Sequence, residues 1–177
     1  FKDTQDEKFD EFIDLLQVKS NEIFDKLNIE SFTGTIVFFK KTRGEYKTVK
    51  VQLQEEGGRI LHKPNTALET SMHISILFAI SHLASEFREE NFPMIFDAPT
   101  SSFAESKTAQ FLDLIYNTSN QKVLLIKSFF DYDENTQELN VLPEFNKIKR
   151  HKAFWIKLER PFDRKRLETL NTQVITL

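Results

Sequence analysis

Two short apolar runs in this chain end on charged residues, and the chemistry it could do is concentrated at those ends. FPMIFDAPTSSF (92–103) loses its apolar character at Asp97, and KVLLIK (122–127) ends on Lys127. Continuously apolar runs of this length fit strands buried on both faces of a parallel sheet. Ligands of open α/β sheets bind just beyond the carboxyl ends of such strands, so both side chains would emerge on the binding rim. A carboxylate there is a hard oxygen ligand of the kind a divalent cation takes. An Asp closing a strand can instead cap the loop that follows, and both roles stay open on pattern alone. The next residue is Ala98, so no second acid adjoins the first.

Other residues offer less. His62, His73, His82 and His151 lack metal-ligand spacing, and His73 and His82 fall on a helical stretch where structural roles suffice. The acidic cluster DYDEN (131–135) could chelate a cation or form a solvated loop, and Trp155 sits among alternating apolar residues as a core side chain would. No Ser–His–Asp arrangement is visible. With no Cys in the chain, disulfides, thiolate metal sites and cysteine nucleophiles are excluded.

The elements that must hold these residues follow from periodicity. Phe9, Phe12, Ile13, Leu16, Ile23 and Leu27 form one stripe on a helix from about Asp6 to Leu27, acidic in its first turns as the helix dipole favours. Lys19 and Ser20 interrupt the stripe, so it fits either a packed helix or the last turns of a coiled coil. FTGTIVFFKK (32–41) and YKTVKVQLQ (46–54), joined by a polar turn with Gly44, predict an antiparallel hairpin with one wet face. A helix follows from about Thr70 to Arg88. Then PMIFD, SKTAQFLDLIYN and KVLLIK read as strand, helix and strand, a parallel pair with a right-handed crossover. AFWIKLE (153–159) is one more strand and TQVITL a short terminal piece.

At 177 residues with 40% hydrophobic and 29% charged composition, the expectation is one globular α/β domain spanning 31–177, preceded by the helix of 1–30. The expectation is that no apolar stretch approaches the roughly 20 residues that span a bilayer, and the acidic start FKDTQDEKF lacks a signal peptide's apolar segment. A cytoplasmic location is the default expectation, with no membrane partner. Starting at Phe1 and not Met, the chain reads as a processed product or a piece of something longer. The net charge of −3 is uneven: residues 1–30 carry nine acids and four Lys, and 144–168 carry nine Lys or Arg and four acids. That asymmetry fits two differently solvated faces or a nucleic-acid contact from the basic end.

FPMIFDAPTSSF, a helix, then KVLLIKSFF resembles the Walker B strand, D-loop and switch strand of ABC-type ATPase heads, particularly the SMC, RecN and DndD-like ATPases of chromosomes and DNA repair. LETSMHISILFAISHLA (68–84) lies where that family places its signature motif and helix. The resemblance spans most of the chain and is densest from Thr66 to Phe130. It implies the C-terminal half of a split P-loop NTPase head: buried parallel strands with flanking helices plus an antiparallel hairpin, entered from a coiled coil. No G-x-x-x-x-G-K-[ST] occurs, and the four glycines, Gly34, Gly44, Gly57 and Gly58, cannot build a phosphate-cradling loop. The resemblance therefore implies an N-terminal P-loop lobe elsewhere in the protein.

By the same resemblance Asp97 is the Walker B aspartate on Mg²⁺. Ala98 stands where most of these ATPases carry the glutamate that activates water. Lys127 takes the switch-histidine position, from which it can contact a γ-phosphate as a point charge but cannot shuttle a proton near neutral pH without a large pKa shift. Leu68, Thr70 and Ser71 match the signature, while Glu69 replaces the serine that would face a γ-phosphate. Ser101 and Ser102 match the D-loop, and Ala104 replaces its aspartate. The implied ligands are ATP and Mg²⁺, and the implied partners are the P-loop lobe, a second head and DNA, in repair, restriction or phage defence. Two alternatives stand beside this: a catalytically disabled dimerisation or scaffold module of the same fold, and a DNA-binding module using the basic 144–168 segment.

Overall fold

The computed structural model describes residues 2–28, 32–43, 46–88, 93–118, 121–126, 129–133, 135–136, 138–143, 145–146, 154–159 and 173–176. Lys127, His151, the Gly44 turn and most of the basic 144–168 segment lie outside them. The chain divides into two compact units, Phe1–Leu125 and Ile126–Leu177.

The first unit contains α1 (Lys2–Leu27), β1 (Gly34–Arg43), β2 (Tyr46–Glu55), β3 (Ile60–Leu61), α2 (Thr66–Arg88), β4 (Met94–Asp97), α3 (Glu105–Tyr116) and β5 (Lys122–Leu125). The hairpin expected from 32–54 forms as β1 and β2, antiparallel with Ile36 opposite Leu53 and Phe38 opposite Val51, and β3 adds a short third strand beside β2. Gly34 opens β1 because a Cβ there would lie 2.2 Å from the Gln54 carbonyl oxygen. β4 and β5 pair in parallel, Asp97 opposite Leu125, as the apolar runs predict.

Two apolar clusters share α2 as a wall. One joins Ile13, Leu16 and Phe24 of α1, Ile36 and Phe38 of β1, Leu53 of β2, and Leu68, Met72, Ala79 and Leu83 of α2. The other is a chain of aromatic contacts: Phe78 of α2 stacks on Phe96 of β4 (5.5 Å, 15°), Phe96 meets Phe111 of α3 edge-on (5.8 Å), and Phe111 meets Phe103 (6.2 Å). Thr66–Phe87 of α2 is long and apolar enough, at a mean hydropathy of 1.2, to cross a membrane, which corrects the expectation that no stretch approaches that length. In this fold its buried residues instead fill the two clusters.

α1 lies along the free edge of β1. Asn21 Nδ2 donates to the Ile36 carbonyl (2.9 Å), Asn21 Oδ1 accepts from the Ile36 N–H (2.7 Å), and Gln17 Oε1 accepts from the Phe38 N–H (2.7 Å). Residues four apart on a helix rise about 6.0 Å, and residues two apart on a strand about 6.8 Å, so one turn of α1 matches one repeat of the strand. The pairing continues with ions: Lys40 Nζ meets Asp14 (2.7 Å), and Lys47 Nζ meets Asp10 (2.8 Å) while lying 5.8 Å from the Phe9 ring centroid.

In the second unit β6 (Phe130–Asp133) pairs antiparallel with β7 (Glu138–Val141), and β8 (Ile156–Glu159) with β9 (Gln173–Thr176). The hairpin of β6 and β7 adds two strands that periodicity does not predict. Asp133 shapes its turn: Oδ1 accepts from the Asn135 N–H (2.8 Å) and the Thr136 N–H (3.3 Å), which holds the carboxyl below the usual range. This member of the 131–135 acidic cluster therefore caps a turn. Phe145 is buried against Phe129, Phe130 and Trp155, the last edge-on at 4.8 Å, consistent with a core role for Trp155.

Replacing Asn21 by Leu leaves the Ile36 N–H and carbonyl without these partners, and urea unfolding should show a loss of about 2–3 kcal/mol. The Lys47 hydrogen bond holds the Asp10 carboxyl below its ordinary value and the Asp10 carboxylate raises Lys47. A depressed carboxyl stabilises the fold above the ordinary carboxylate pKa, with loss as pH falls through the folded value; the raised amine stabilises below the ordinary lysine pKa, with loss as pH rises through its folded value. Thermal melts should therefore show a shallower acid-side decline in Lys47→Met than in the parent chain.

Candidate functional site

Asp97 is the last residue of β4, and its carboxylate is exposed at the carboxyl end of the parallel pair. The chain then turns sharply. The Ala98 N–H donates to the Leu125 carbonyl (2.9 Å), the Ser101 N–H to the Ala98 carbonyl (3.1 Å), and the Phe103 N–H to the Thr100 carbonyl (3.0 Å). Pro99 and Thr100 are buried beneath this double turn and Ser101 is exposed on it. Ser102 Oγ donates to Thr70 Oγ1 at 3.2 Å, which brings the expected D-loop against the expected signature segment, 32 residues apart in sequence.

The signature segment is placed differently from expectation. α2 begins at Thr66, four residues before the predicted start, because Asn65 caps it: Asn65 Oδ1 accepts from the Leu68 N–H (2.8 Å), and the Glu69 N–H donates to the Asn65 carbonyl (3.0 Å). The Thr70 and Ser71 N–H groups are thus inside the helix and are not among its free first-turn donors. Ser71 is fully buried with its Oγ donating to the Ala67 carbonyl (2.8 Å), and Leu68 belongs to the core, so these two residues build the site's support. Exposed Glu69 and half-buried Thr70 remain at the surface. Among the described residues nothing pairs with the carboxylates of Glu69 or Asp97, and no three acids or histidines converge on a metal position. A single exposed carboxylate still suits Mg²⁺, which takes one or two carboxylates and completes its shell with water and phosphate oxygens.

Ala104 has a structural consequence the sequence does not announce. It is the N-cap of α3, with extended backbone (φ −70°, ψ 164°) and no side-chain acceptor for the first helical N–H groups. In the first turn behind it, Lys107 Nζ lies 5.6 Å from the Phe103 centroid, and burial lowers its pKa.

A cleft of about 280 Å³ lies at the opposite end of the strands, lined by residues including His82, Ser85, Met94 and Lys122. Lys122 Nζ, at the start of β5, donates there to the Thr118 carbonyl just after α3 (2.8 Å), and His82 pairs with Glu86 on the same helix (3.3 Å).

No protein-family profile matches the sequence, and no curated protein matches it. Solved structures do. One, from work on ATP-driven dimerization and DNA-stimulated activation of SMC ATPases, has a TM-score of 0.61 at 12% identity, covering 97% of this chain and 88% of the other. The fold is that of an SMC ATPase head. The Smc head of Pyrococcus furiosus with an extended coiled coil, bound to the C-terminal domain of ScpA, has a TM-score of 0.58 at 13% identity. A Smc head bound to the C-winged helix domain of ScpA has 0.58 at 12%. The chain covers 36% and 42% of those two chains, so it spans well under half their length.

Within this SMC-type head fold, Ala104→Asp should supply the missing cap acceptor and raise stability to urea by about 1 kcal/mol.

Proposed function

We propose that this chain is the C-terminal lobe of an SMC-like ATPase head, which completes a nucleotide site only together with a P-loop lobe. One observation carries this. Ile95, Val123 and Leu125 are 73%, 45% and 47% exposed on a single face of β4 and β5, whereas Phe96 on the other face is buried. The sequence predicts strands covered on both faces, and among the described residues nothing covers one of them. Apolar parallel strands need cover on both sides, and a P-loop lobe is the cover this reading assigns. Register places Asp97 on this same bare face, alternating with Ile95. The cover would then bring phosphates to the carboxylate.

In that assembly Asp97 holds Mg²⁺ through its carboxylate, and the ion when bound neutralises charge on the nucleotide phosphates. Thr70 and Ser102 present hydroxyls toward the nucleotide of a second head, and Lys127, outside the described residues, is assigned to the γ-phosphate. Catalysis of this kind is positioning and charge stabilisation. DNA is the proposed substrate scaffold, in repair, restriction or phage defence, in the cytoplasm.

A second reading rests on Ala98, Glu69 and Ala104. With no acid beside Asp97 and an anion at the signature serine position, the head would bind and dimerise without turning over ATP.

Isothermal titration tests the lobe assignment. The chain alone should bind Mg-ATP negligibly, while its complex with the P-loop lobe of the same protein binds it and Asp97→Asn weakens that binding. Micromolar Mg-ATP binding by this chain alone would sink the split-head account. Phosphate release by the complex, lost in Asp97→Asn, separates an active head from a disabled one. Ile95→Asp should leave the isolated chain folded by circular dichroism yet prevent assembly with the P-loop lobe in gel filtration.

A further inference from the structure

Ala98 has a φ of 46°, in the left-handed region, and among the described residues it is the one non-glycine with positive φ. A Cβ makes that region costly, and glycine enters it freely. The conformation is fixed from both sides. Its N–H extends the parallel ladder one residue past β4 by donating to Leu125, and its carbonyl closes the turn by accepting from Ser101. Buried Thr100 then accepts from Phe103, so a second turn follows at once. Ser102, inside that second turn, has its Oγ on Thr70. A residue leaving β4 with extended backbone would carry the chain straight on beyond the sheet, away from α2.

We propose that Ala98 is the positioning residue of the candidate site: its left-handed backbone, and not its side chain, bends residues 99–103 back onto α2 and sets Ser102 against Thr70. Strained backbone persists where the surroundings over-determine it and is concentrated at functional sites. Here the two ladder and turn bonds, with Pro99 and Thr100 packed below, supply that constraint. Alanine carries the smallest side chain with a Cβ, and β-branched or bulky side chains fit the left-handed region worst. The position therefore serves the shape of the turn through its backbone. What the hydroxyl pair is for rests on the lobe assignment; the geometry itself does not.

The chain has no cysteine, so Thr70→Cys with Ser102→Cys creates a lone thiol pair that reports the contact. Mild oxidation should close a disulfide readily with Ala98 and with Ala98→Gly, and about tenfold more slowly with Ala98→Val, which disfavours the left-handed backbone. Circular dichroism distinguishes a displaced turn from an unfolded chain. Should the Val variant fail to fold, Ala98→Gly still decides, because relief of the strain raises the thermal midpoint by about 2–5 °C. Equal disulfide rates in a folded Val variant, or a lower midpoint for Ala98→Gly, would overturn the proposal. Failure of Mg-ATP binding with these disulfide rates as expected would count against the nucleotide site alone.

Discussion

The first unit depends on one helix being satisfied on two sides at once. α2 turns Leu68, Met72, Ala79 and Leu83 toward α1 and the hairpin, and Phe78 toward β4. Between those faces lie Ser71 and Ser75, both fully buried, whose hydroxyls bond carbonyls one turn back, at 2.8 and 2.7 Å. A buried hydroxyl satisfied within its own helix asks nothing of its neighbours, so both sides of α2 can be packed without leaving an unpaired polar group. The same helix that supports the hairpin thereby fixes where Thr70 stands relative to β4. A change in the packing of either cluster acts on the site through α2.

The surface that results is rich in hydroxyls and short of charge balance. Ser101, Ser102 and Thr70 offer neutral donors and acceptors, Glu69 and Asp97 offer anions, and Lys107 is held against an aromatic face. Such a surface cannot hold a polyphosphate unaided, because two carboxylates repel it and no glycine-rich loop cradles it. On the proposed reading, a cation held by Asp97 and a cradle from a second polypeptide would make up both shortfalls. The bare face of β4 and β5 expresses the same incompleteness in apolar terms.

Much of this was legible in sequence wherever periodicity was strong. The hairpin, the parallel pair and α3 follow from alternation, continuous apolar runs and 3.6-residue spacing, and Asp97 ends its strand as its run predicts. The start of α2 was misplaced because Asn65 caps through its side chain, while the apolar stripe gives no sign of where the first turn begins. The burial of Ser71 was not legible for a related reason: a motif match records residue type, whereas burial depends on which side of the helix the residue occupies. The exposure of Ile95, Val123 and Leu125 could not be foreseen, since an apolar run reports how much burial a strand needs and not what provides it. The left-handed backbone at Ala98 has no signature at all, because alanine ordinarily marks helix.

The contact of α1 with β1 also bears on the order of synthesis. A strand edge with unpaired N–H and carbonyl groups is a template for wrong pairing, most dangerous while a chain is still incomplete. Here the guard precedes the edge: Gln17 and Asn21 leave the ribosome before Ile36 and Phe38. A nascent strand therefore meets its own helix at hand, before other chains can compete for it.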